Sequence, residues 1–143
     1  MDASKKFMDN YNDPKVKGCT VMNIWRPLMD DPCQHKCLAL LDPHSVKPDD
    51  IIPTSLLGYT LTGKPTSLGT LRFNPEHQWY YYPDMTKDEV IVFKQFESFK
   101  HPDYWGDDAP VKTSYFCSVD MPHLKKKTEK RKSAEYRCRV WFK

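Results

Sequence analysis

The chain has 143 residues, 39% hydrophobic and 29% charged, which suits one soluble domain with its own core and excludes two independent ones. Its 22 basic and 19 acidic residues leave a formal net charge of +3, too small an imbalance to require a polyanionic partner. No run approaches the roughly 18 apolar residues that cross a bilayer, no signal core follows Met1, and five cysteines read as reduced thiols, so a cytoplasmic protein away from membranes is expected.

Residues 1–18 are polar, include Asn10, Asn12, Asp13 and Pro14, and predict a flexible, extended N-terminal arm ahead of a β domain at 19–143. From Thr20 to Trp25, β-branched and apolar residues predict a buried strand that Pro27 ends. A second apolar run, 38–41, is closed by Asp42 and Pro43. Between Leu56 and Phe73, Gly58, Gly63 and Gly69 separate short Thr/Leu/Tyr stretches, the pattern of hairpins. After the Asn74-Pro75 turn, 78–82 and 90–93 predict two more strands. Alternation would send about half of Trp79, Tyr80, Tyr81 and Tyr82 into the core, leaving one or two to line a pocket. The alternation of 136–142 predicts a last strand with one buried face. No amphipathic helix stands out, and the whole reads as a mainly β sandwich or barrel with turns.

Two constellations outside the strands invite other readings. Cys33, His35 and Cys37 alternate, so in a strand they would face one side, as zinc requires, but the spacing is unusual and a fourth ligand is missing. The basic run 125–132 could touch phosphates, yet no aromatic stacking motif accompanies it, so it reads as a solvated loop and nucleic acid is not an expected partner.

Several blocks carry a resemblance. Asn23-Ile24-Trp25-Arg26-Pro27-Leu28, then Leu38-Ala39-Leu40-Leu41-Asp42 and Ser45-Val46, match an N-x-W-R-P-L, P-L-A-x-x-D and S-V series. Asn74-Pro75-Glu76-His77-Gln78-Trp79-Tyr80-Tyr81 matches N-P-x-H-x-W-Y-Y, and 85–95 matches M-T-x-D-E-V with F-K-Q. Arg131-Lys132-Ser133-Ala134-Glu135-Tyr136-Arg137 matches R-x-S-x-E-x-R. In this order the blocks resemble the C-terminal half of the fungal AsaB-type hydroxylase/desaturase family. The resemblance implies a partial double-stranded β-helix, or jelly roll, and iron- and 2-oxoglutarate-dependent oxidation of a small-molecule metabolite in fungal secondary metabolism.

The resemblance also implies a ligand set, which the sequence does not supply. Ferrous iron in such a site takes two imidazoles and one carboxylate. The family's His-x-Asp lies upstream of the N-x-W-R block, and no histidine precedes Trp25. The second histidine opens an H-x-x-[FV]-D-x-P-like segment whose place is taken by 116–122, so Phe116 stands where the imidazole is expected. His101 and His123, with Asp103 and Asp120 near them, are the substitutes if that loop aligns differently. The co-substrate anchor is kept: Arg131 and Ser133 match R-x-S, a guanidinium and a hydroxyl suited to a carboxylate of 2-oxoglutarate. Half of a two-sheet roll also exposes strand edges, which implies self-association or pairing with a full-length homologue.

Overall fold

The longest apolar run forms the centre of a sheet. Strand β1 (Gly18–Pro27) lies between β6 (Ile91–Phe99) and β8 (Ser133–Phe142), antiparallel to both. Its alternation decides the faces: Val21, Asn23, Trp25 and Pro27 are buried inward, while Met22, Ile24 and Arg26 point out. The structure is a computed structural model describing residues 3–57, 66–99, 113–121 and 129–143.

A second three-stranded sheet has β2 (Cys37–Leu41) between β5 (Trp79–Tyr81) and β7 (Phe116–Val119). Strands β3 (Ile51–Leu56) and β4 (Thr66–Leu71) pair as a separate hairpin. The two larger sheets meet through Trp25 and Phe93 on one side and Cys37 and Leu38 on the other, with Met29, Cys33 and Met85 filling between them. The fold is thus mainly β, two sheets enclosing one core in the manner of a jelly roll.

The matched sequence blocks turn out to be clasps between strands. Asp42 Oδ1 accepts from the His44 amide at 2.9 Å, and Ser45 Oγ donates to the Asp42 carbonyl at 2.7 Å and accepts from the Gln78 amide at 3.0 Å. Glu89 caps its own turn, taking the Thr86 amide at 2.7 Å and hydroxyl at 3.0 Å. Buried Asp50 accepts from the Lys47 amide at 2.9 Å, from Asn74 Nδ2 at 3.1 Å, and lies 3.1 Å from His77 Nε2.

Three expectations from sequence are corrected. Ala3–Asn12, read as an extended arm, is helix α1. Its Phe7 and Tyr11 stack one turn apart at 5.9 Å, and Phe7 packs 5.4 Å from Trp141 with the Arg139 guanidinium 4.5 Å over its ring. None of Trp79, Tyr80, Tyr81 and Tyr82 is buried, because among the described residues β5 is an edge strand paired only with β2. Strand β8 has no fully buried face either: it too is an edge, and Tyr136 and Val140 remain 69% and 50% exposed. Among the described residues, no helix is long and apolar enough to cross a membrane.

Candidate carboxylate site

Arg131 lies two residues before the start of β8. Its guanidinium sits 5.8 Å over the Trp25 ring, and Nη1 donates to the Lys36 carbonyl at 2.5 Å. The backbone beside Arg131 is pinned at Lys132, whose carbonyl accepts from the Leu28 amide at 2.9 Å and whose amide reaches Met29 Sδ at 3.0 Å. One edge of a half-buried guanidinium is thus committed to the protein, which fixes its plane, and its remaining N–H groups are available to an anion.

Ser133 stands opposite Pro27 in the β1–β8 register and lines, with Arg131, a cleft of about 240 Å³. Trp25, Leu38, Phe116, Cys117, Ser118 and Glu135 complete it, so four strands from both sheets contribute. The structure therefore brings Arg131, Ser133 and Phe116 to one place, although 15 or more residues separate Phe116 from the other two in sequence. Sequence reading missed Ser118 and Glu135. Ser118 shares the strand face of Phe116, two residues away, but four residues of strand are too few for that alternation to show in sequence. Glu135 is held away from acting as a bare anion by Arg137, whose Nε and Nη2 each lie 2.7 Å from its Oε1.

Ferrous iron does not fit the described residues. Phe116 has no lone pair to give, and its ring is committed to the core, edge-on to Phe93 with centroids 5.2 Å apart. Among the described residues, no three His, Cys, Asp or Glu side chains gather closely enough to hold a metal. His101, His123 and Asp103 lie outside the described residues; Asp120 is described, and it pairs with Lys36 at 2.5 Å.

The Cys33, His35, Cys37 alternation does not form one ligating face. Lys36 adopts φ 53°, a left-handed turn that breaks the strand before β2 begins. Both thiols are buried. Cys37 Sγ donates to the Cys33 carbonyl at 3.2 Å, and burial, reinforced by the neighbouring Cys37 thiol, pushes Cys33 up to about 11. Such thiols stay protonated and act as core residues. Of the basic run, the described part places Lys132 on Glu129 at 2.7 Å.

Comparisons with known proteins agree with this architecture. Residues 4–141 match the family model described as YDMC: Oxidoreductase/YMDC permease-like domain. The chain is 30% identical over 121 residues to the Fe(II)/2-oxoglutarate-dependent dioxygenase nvfI of Aspergillus novofumigatus, covering 83% of this chain and 39% of that protein. It is 29% identical to the hydroxylase/desaturase asaB of Aspergillus flavus, covering 85% of this chain and 55% of that one. Among solved structures, the iron and alpha-ketoglutarate-dependent endoperoxidase NvfI superposes with a TM-score of 0.69 at 27% identity, over 88% of this chain and 43% of that one. The chain therefore spans about half, or less, of the length of these relatives. It belongs to the Oxidoreductase/YMDC permease-like domain family, with the fungal hydroxylase/desaturases and Fe(II)/2-oxoglutarate-dependent dioxygenases as its relatives.

Proposed function

We propose that this chain serves fungal secondary-metabolite oxidation in the cytosol as a hydroxylase/desaturase-family protein that holds a small carboxylate, 2-oxoglutarate or a metabolite, through Arg131 and Ser133. The observation that carries this reading is the shared cleft, whose lining includes both Ser133 and a guanidinium held by the Lys36 carbonyl and Trp25. Charge-assisted hydrogen bonds from a planar fork suit a carboxylate, and the fork needs no metal to be positioned. Iron, when present in a relative, supplies oxidising power; here that chemistry requires donors beyond the described residues.

A second reading is a non-catalytic metabolite-binding module, and Phe116 in the expected imidazole position favours it. Both readings share the carboxylate anchor, so one experiment tests it. 2-Oxoglutarate should raise the melting temperature, and Arg131→Ala should remove that rise. Arg131→Lys, which keeps the charge but loses the fork, should restore only part of it. The rise should survive added salt, as attraction to the surface lysines would not. Equal stabilisation of wild type and Arg131→Ala would defeat the proposal.

A further inference from the structure

We infer that Cys33, Cys37 and Met121 form a site for copper(I), in the cavity they line beside the N-terminal end of β2. The chain path brings the sulfurs together. The Cys33 amide is tied to the Met85 carbonyl at 2.8 Å, the left-handed Lys36 turns the chain, and Cys37 opens β2 with its Sγ donating to the Cys33 carbonyl at 3.2 Å. The two thiols are near enough to act on each other directly. Met121 arrives from another strand, two residues beyond β7, whose Val119 stands opposite Cys37. All three line one cavity of about 230 Å³, with Gln34, Tyr81, Pro83 and Asp84.

Two thiols and a thioether select for a soft ion, and copper(I), with its filled d shell, accepts two or three such donors. Structural zinc takes four. Among the described residues, no third His, Cys, Asp or Glu side chain gathers with the two thiols, and Asp84 Oδ1 accepts from Gln34 Nε2 at 2.6 Å. Cys33 and Cys37 are 1% and 3% exposed, which suits an ion, since it needs the lone pairs of sulfur and not a surface to lie on. Tyr81, Pro83 and Asp84 are exposed, so the cavity opens to water. Binding breaks two S–H bonds and forms two Cu–S bonds; two protons leave, no electron is transferred, and the bis-thiolate complex carries one negative charge. Arg131 offsets that charge, because its Nη1 rests on the Lys36 carbonyl next to Cys37 and its field reaches both thiols.

The test is competition for copper(I) between the reduced full chain and bicinchoninate under argon, read as loss of the coloured chelate. The chain should withdraw one equivalent, and Cys33→Ser or Cys37→Ser should withdraw none. Met121→Leu, which roughly keeps the side-chain volume, should weaken withdrawal by about tenfold. Cys117→Ser combined with Cys138→Ser should leave it unchanged. X-ray absorption at the copper edge needs no variant, so it guards against a cysteine change that unfolds the chain, and it should show sulfur neighbours alone. Nitrogen or oxygen neighbours, no withdrawal by the wild type, or withdrawal that survives the loss of both Cys33 and Cys37 would each overturn the site. Full affinity in Met121→Leu, or loss of affinity in the Cys117 and Cys138 variant, would place the copper on other donors. Zinc that displaces the bound copper(I) would overturn the assignment of the ion.

Discussion

At the scale of single residues, the polar groups that matter most to folding are those that tie turns to strands. Asp50 is 7% exposed, yet its carboxylate has three partners, and the Lys47 amide, ahead of the Asn74 and His77 side chains, holds it below the ordinary aspartate value of 3.8. A carboxyl that is more acidic in the folded than in the unfolded state stabilises folding above about pH 3.8. That stabilisation is lost as pH falls through the lowered folded value. Asp50→Asn presents a second amide to donors that need an acceptor, so it should lower the denaturation midpoint at pH 7 and flatten its decline on acidification. Denaturant titrations of both proteins between pH 2 and pH 7 would check this, and parallel acid limbs would contradict it. The pair with His77 was not foreseen from sequence, because 27 residues separate the partners and only the N-P-x-H block hinted that the histidine mattered.

At the scale of elements, legibility followed the source of each element's stability. Strands β1, β2 and the first residues of β6 were readable because β-branched and apolar residues fill them, whereas the polar stretch of β6 from Lys94 on was not read as strand, and the register then buried the inward side chains of β1. Strand β3 carries Pro53, which argues against a ladder position, and it is accommodated only because its partner is a single strand. The four residues of β7 are too few to show a period. Arg131 and Ser133 were legible as a motif, but their companions Trp25, Leu38 and Ser118 come from other strands through pairings no local pattern encodes. Helix α1 was hidden for a related reason. Ten residues are too short to hold a helix in water unaided, so the contact of Phe7 with Trp141 and Arg139 sustains it. Phe7→Ala should cost about 1–2 kcal/mol through the lost ring and cation contacts. It should also reduce ellipticity at the helical band while leaving the carboxylate response of Arg131 intact. Retention of the full helical signal would show that α1 is held by something other than Phe7.

At the scale of the whole molecule, the outer face of the β6-β1-β8 sheet departs from the polar surface a sandwich normally shows to water. Val92, Ile24 and Tyr136 form one cross-strand row, Met22 and Cys138 lie in the next, and Val140 opposes Thr20 in a third. Val92 and Tyr136 are 58% and 69% exposed. We propose that a second copy of this chain covers this stripe. Lys94 and Glu97 beside these rows already pair with each other at 3.1 Å, and Glu97 accepts from the Thr20 hydroxyl at 3.0 Å, so the apolar rows and not these charges would carry an isologous contact. Three strands of about ten residues offer a face of roughly 500 Å², which is small for a specific interface. The expected state is therefore a dimer in exchange with monomer at micromolar concentrations. Light scattering behind size exclusion should show the mass rising with concentration, and Val92→Lys with Tyr136→Lys should hold it at the monomer without lowering the melting temperature, since neither side chain fills the core. A monomer at every concentration would contradict the proposal. So would a dimer that survives both lysines, because the contact would then lie on another surface, with the outer edge of β8 the next to examine.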